Sequence, residues 1–180
     1  MVQTIRNKTF ETNSSSTHTL VLLKHSDDLS EMGMEAHIPI MDNFQGFTRD
    51  PEEIVSYLYT IGLLTHNWHL VDSLKREFPL CIFQKPQWDL PYESETGFCD
   101  DREVISFCEL INSSMCCYFS DDDINTIIAH LKDFIFKGEL FVMWDGDYLH
   151  CIPEHHNIDP NDSAAWKIWV EENVDIIIGE

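Results

Sequence analysis

Apolar positions recur along the chain with two periods, and the changes of period mark its elements. Val2 to Phe10 and His18 to Leu23 are rich in Thr, Val, Ile and Leu. Asn13-Ser14-Ser15-Ser16 separates them, which predicts a hairpin or paired strands. Lys24 to Glu35 follows as an acidic connector, and His37 to Met41 reads as a short edge strand because Pro39 cannot donate to a ladder. Asp50-Pro51-Glu52-Glu53 opens the clearest helix, with Asp50 as N-cap, Pro51 at the first helical position and Glu53 where a capping box wants an acid. Ile54, Leu58 and Ile61 keep its apolar face. Trp68, Val71, Leu74 and Phe78 repeat the helical spacing until Pro79, after which Leu80 to Phe83 reads as a buried strand.

Lys85 to Asp100, with Pro86, Pro91 and Gly97, reads as a long surface loop. Helical spacing returns at Val104, Phe107, Cys108 and Ile111. Ser120 and Asp123 form a second capping box ahead of Ile124, Ile127, Ile128, Leu131, Phe134 and Ile135, and Gly138 closes that helix. Leu140–Trp144 and Tyr148–Ile152 flank Asp145-Gly146, which predicts a hairpin because both turn residues tolerate positive φ. A polar loop, a Trp-rich segment at Ala165–Val170 and a strand at Val174–Ile178 complete the pattern. These elements predict an α+β fold in a single domain spanning residues 1–180. Its sheet is mainly antiparallel, with strands from both termini and about four helices packed on it.

Composition adds one anomaly. The 180 residues carry 32 Asp and Glu against 11 Lys and Arg, a net charge of −21, where a magnitude of about 2–8 is ordinary for a small domain. Such a field repels nucleic acid and anionic membrane and favours basic partners. No apolar leader and no stretch near the ~18 residues of a membrane span is present, so a cytoplasmic protein is expected. In that compartment the six cysteines read as reduced core residues rather than disulfides.

One motif is distinctive: Arg6, Phe10-Glu11-Thr12-Asn13-Ser14-Ser15-Ser16 and His18. It resembles the N-terminal motif of an uncharacterised family of small proteins from Firmicutes and their phages. Asp50 to Thr60 and Leu131 to Phe136 resemble two helices of the same family, so the resemblance covers about half the chain. An Asp-His-Gln-Ser-like element of that family is replaced here by Cys116-Cys117-Tyr118-Phe119-Ser120, which leaves its histidine without a counterpart. The resemblance implies a phage origin and, by analogy with small acidic phage proteins, an anti-CRISPR role.

The candidate chemistry has plain structural competitors. The serine loop with Arg6 and His18 could hold an anion, or His18 could act as base with Glu11 orienting it, but no nucleophile elbow accompanies the serines. A turn whose Asn and Ser side chains bond their own backbone explains the same residues. Cys116-Cys117, His150-Cys151 and His155-His156 offer soft ligands without a Cys-x-x-Cys pair, and neighbours on a strand point to opposite faces. Asp121 to Asp123 is accounted for by a helix N-terminus and Asp145-Gly146-Asp147 by a turn. No metal or other cofactor is expected, and no catalytic residue is assigned.

The acidity remains. Asp27, Asp28, Glu31 and Glu35 in the connector, and Glu93, Glu95, Asp100, Asp101 and Glu103 in and after the loop, have few basic neighbours. Duplex DNA carries one charge per ~1.7 Å, so an acidic face can occupy a channel built for it. Trp88 and Tyr92 would anchor such a contact. The leading expectation is a phage-type inhibitor bound to a basic nucleic-acid-handling protein, for example a CRISPR effector nuclease, by mimicry or occlusion, with no direct nucleic-acid binding. The alternatives are an enzyme acting on a phosphate- or nucleotide-bearing substrate through Glu11, Asn13, the serines and His18, and an acidic assembly module paired through the final strand's edge.

Overall fold

The computed structural model describes residues 3–4, 17–24, 34–41, 46–86, 119–143 and 148–179. In chain order the elements are β1 (Gln3–Thr4), β2 (Thr17–Leu23), β3 (His37–Ile38), β4 (Gly46–Thr48), α1 (Pro51–Leu64), α2 (Trp68–Glu77), β5 (Ile82–Phe83), α3 (Asp121–Ala129), α4 (Leu131–Lys137), β6 (Gly138–Met143), α5 (Tyr148–His155), α6 (Ser163–Asn173) and β7 (Val174–Gly179). The class is α+β, with a mainly antiparallel sheet. Two compact units divide the chain: Met1–Ser30, Gln45–Asp50 and Cys117–Glu180 form the first, and Glu31–Phe44 with Pro51–Cys116 the second.

The first unit holds a five-stranded sheet ordered β1-β7-β2-β6-β4. β2 lies antiparallel to both β6 and β7, β4 is antiparallel to β6, and β1 joins β7 in parallel. The predicted N-terminal hairpin is therefore corrected: β7 stands between β1 and β2. β7 is flanked by β2 on one side and, at Ile176 and Ile177, by β1 on the other. Registers such as Val21↔Glu139 and His18↔Val142 fix which residues share a face. Val21 and Phe141 pack with Ile152 of α5 and with Trp166, Trp169 and Val170 of α6. Leu20, Leu22, Leu140, Val142 and Ile178 alternate onto the opposite face and are also buried. Each such side chain contributes about 1.5–3 kcal/mol on burial.

Local chemistry sets where these elements start. The Ser120 hydroxyl accepts from Asp123 N at 3.2 Å, while Ser120 N donates to Asp123 Oδ2 at 2.7 Å, so the capping box read in the sequence is present. The helix it opens breaks at His130, giving α3 and α4 where one was expected. α4 then passes directly into β6 through Gly138, where a Cβ would overlap the Phe134 carbonyl.

The proposed strand at Tyr148–Ile152 is a helix, α5. Five residues of mixed polarity do not distinguish a strand from a short helix. Asn157, at φ +58°, and the Ile158 N–H donating to the Pro153 carbonyl at 2.8 Å close the turn after it. α6 begins where the Asp162 carboxylate accepts from the N–H groups of Ala164 and Ala165.

The second unit is built on α1 and α2 with a two-stranded parallel pair, β3 and β5. Ile54 to Leu63 of α1 are buried without interruption. Gly62 lets α2 approach, since a Cβ there would lie 2.8 Å from Val71 Cγ2. Polar groups are satisfied locally. Thr60 Oγ1 donates to the Ser56 carbonyl at 2.8 Å and accepts from Met41 N at 2.9 Å, and the Tyr59 hydroxyl donates to the Gln84 carbonyl at 2.7 Å. Two apolar expectations are corrected here: Trp68 is exposed, and so are Leu80 and Ile82, because β5 is only two residues long and pairs on one side.

Candidate functional site

Most of the residues singled out in the sequence lie outside the described residues. These are Arg6, Phe10, Glu11, Asn13, Ser14, Ser15 and Ser16 of the motif, and Asp27, Asp28, Glu31, Trp88, Tyr92, Glu93, Glu95, Asp100, Asp101 and Glu103 of the acidic segments. The predicted helix at Val104–Ile111 also lies outside them. Glu35 is described and exposed.

His18 is described and is buried. It sits in β2 at 4% exposure, and burial lowers its pKa from 6.5 to about 4. A neutral, enclosed imidazole fits a core position. It also faces away from the polar cluster below, because His18 and Val21 lie three residues apart on one strand and Val21 is paired with Glu139.

Sequence reasoning missed that cluster. Glu139 is fully buried in β6, although a carboxylate is almost never enclosed without partners. One carboxylate oxygen accepts from the guanidinium of Arg49, just beyond β4. The other lies 2.8 Å from Nε2 of His156, just beyond α5. Arg49 is half exposed and its guanidinium carbon sits 5.7 Å from the Phe47 ring centre. The His155 ring lies 3.7 Å from the Phe47 ring and 5.1 Å from His156, whose other neighbour is Trp169 at 4.2 Å. Trp166 stacks on Trp169. No sequence signal joins residues 49, 139 and 156; only an acid inside a strand-like run, Gly138-Glu139-Leu140-Phe141, hinted that Glu139 needed a partner.

The electrostatics of the cluster run against those of the chain. Burial lowers the pKa of His156, and the Arg49 charge lowers it further. Burial also lowers His155, followed by the His156 and Arg49 charges. Both imidazoles are therefore mainly neutral near pH 7, and a buried carboxylate tethers the arginine beside them.

Among the described residues, no three His, Cys, Asp or Glu side chains group to hold an ion. His150 and Cys151 belong to α5, so the strand alternation invoked against their joint ligation does not apply. Asp121 and Asp122 are exposed in the first turn of α3. No family model, curated protein or solved structure matches this chain. Among the described residues, no helix is long and apolar enough to cross a membrane.

Proposed function

We infer that this chain is a binding protein whose acidic surface occupies a basic, nucleic-acid-handling face of another protein, as a phage-type inhibitor of a defence nuclease. The observation that carries the reading is the charge itself: −21 over 180 residues, three acids for every base. Exposure of Glu35, Asp121, Asp122, Glu171, Glu172 and Asp175 supports this reading. Clustered carboxylates that keep their water until a partner arrives steer association and set its salt dependence.

A CRISPR effector nuclease is the most concrete partner, because its nucleic-acid channel is lined with Lys and Arg. Inhibition would be occlusion of that channel and would require no catalytic residue. The contact is assigned to the segments holding Asp27 to Glu35 and Trp88 to Glu103, where charge and aromatic residues coincide in the sequence. Of the alternative reading, an enzyme acting on a phosphate- or nucleotide-bearing substrate through Glu11, Asn13, Ser14 to Ser16 and His18, only His18 is among the described residues, and it is buried.

The test is binding of the purified chain to a panel of purified CRISPR effector complexes at about 50 mM and about 500 mM salt, a roughly threefold change in screening length. Binding at low salt that weakens at high salt, together with loss of target cleavage, is the expected result. Absence of binding to every effector at low salt overturns the reading.

A further inference from the structure

We propose that Arg49, His155 and His156 form a binding site for a phosphate group. In a chain so short of bases, these three side chains converge on one rim of the first unit, brought there by the end of β4 and the end of α5. Glu139 fixes two of them from beneath, one carboxylate oxygen on the Arg49 guanidinium and the other 2.8 Å from His156 Nε2. An Arg fork carries five N–H donors, and with half the side chain exposed, those not directed at Glu139 meet solvent.

The histidines complete the rim. His156 directs its Nε2 at Glu139 and keeps 13% of its side chain exposed. His155 is exposed and rests on Phe47, the ring that also underlies the guanidinium. Among the described residues, Arg49 from the end of β4 and Glu139 from β6 are the charged groups at these imidazoles, with the uncharged rings of Phe47, Phe141 and Trp169 beside them. Asp50 and Glu154 are the exposed acids adjacent in the chain.

A phosphate dianion matches this set. Arg supplies parallel donors to two of its oxygens, and each imidazole becomes a charged donor once it takes up a proton. Both imidazoles hold that proton weakly in the free protein because of burial and the Arg49 charge. A bound dianion would offset that charge, so binding is coupled to proton uptake by the imidazoles and, at a fixed concentration of the dianion, strengthens as pH falls from 8 to 6.

The experiment is an NMR titration of the histidine ring resonances of the full chain with inorganic phosphate, at constant ionic strength, at pH 8 and pH 6. Saturable shifts of His155 and His156 are expected, with affinity, referred to the concentration of the dianion, higher at pH 6 by roughly tenfold, about 1.4 kcal/mol. Arg49→Lys keeps a cation for Glu139 and loses the fork; it should weaken binding by roughly tenfold. His155→Gln, at an exposed position, should weaken it without altering the fold. A parallel titration with a nucleoside monophosphate separates the sources: tighter binding than inorganic phosphate assigns the site to a phosphate ester, and equal binding assigns it to the free ion. Non-saturating shifts, an equal response to acetate, or affinity unchanged in Arg49→Lys would overturn the site.

Discussion

The two units differ in what they bury beside their apolar side chains. Among the described residues of the helical unit, the enclosed polar groups are the hydroxyls of Ser56, Thr60 and Ser73, which cannot ionise near neutral pH. The sheet unit encloses His18, Asp123 and Glu139, whose side chains are acids or bases. A hydroxyl that bonds its own helix costs little to bury, whereas an enclosed ion is tolerated only with its partners in place. Stability in the second unit should therefore follow packing, while stability in the first should depend also on charge and pH.

The sharpest way to break this comparison is Glu139→Ala. It leaves the Arg49 and His156 contacts unmet and should cost about 3–5 kcal/mol, read by urea unfolding. A cost below about 1 kcal/mol would mean the enclosed carboxylate contributes nothing net. Next comes Gly62→Ala, which presses a methyl group against Val71 and should cost about 1–3 kcal/mol. Val71→Ala should relieve part of it, as a double-mutant cycle would measure. Thr60→Val removes a locally satisfied hydroxyl and the acceptor for Met41 N, and should cost only about 1 kcal/mol. Smallest of all, Glu171→Lys with Glu172→Lys on the outer surface should change stability by less than about 0.5 kcal/mol. If α6 belongs to the partner-facing surface, the same pair should also flatten the salt dependence of partner binding.

How much of this was legible in the sequence follows from the range of the interactions. The Ser120–Asp123 cap spans three residues and could be read directly. So could α1 from Asp50-Pro51, and the β6 and β7 strands from their apolar runs. Where the decisive contact was remote, the pattern was silent. β1 looked like a partner for β2 because they are consecutive, yet β7, more than 150 positions further on, separates them. α5 looked like a strand because Asp145-Gly146 suggested a turn and the segment was too short for its period to decide. The Arg49–Glu139–His156 cluster joins residues 90 and 17 positions apart, and no local rule connects them. His18 stood out in its motif, but the register that encloses it comes from β6 and β7.

The pH dependence of stability tests the contrast between the units most directly. His18 has its folded pKa lowered to about 4 from 6.5, so between those values the unfolded chain binds more protons than the folded one. Its contribution is intact above pH 6.5, declines as pH falls through that window, and is fully lost below about 4. The loss amounts to about 3 kcal/mol. Unfolding free energies of the wild type and His18→Leu, measured side by side from pH 7 to pH 4, cancel the changes that both share on the acidic surface. The account predicts that the wild type loses about 3 kcal/mol more than the variant across that range; parallel curves for the two proteins would contradict it.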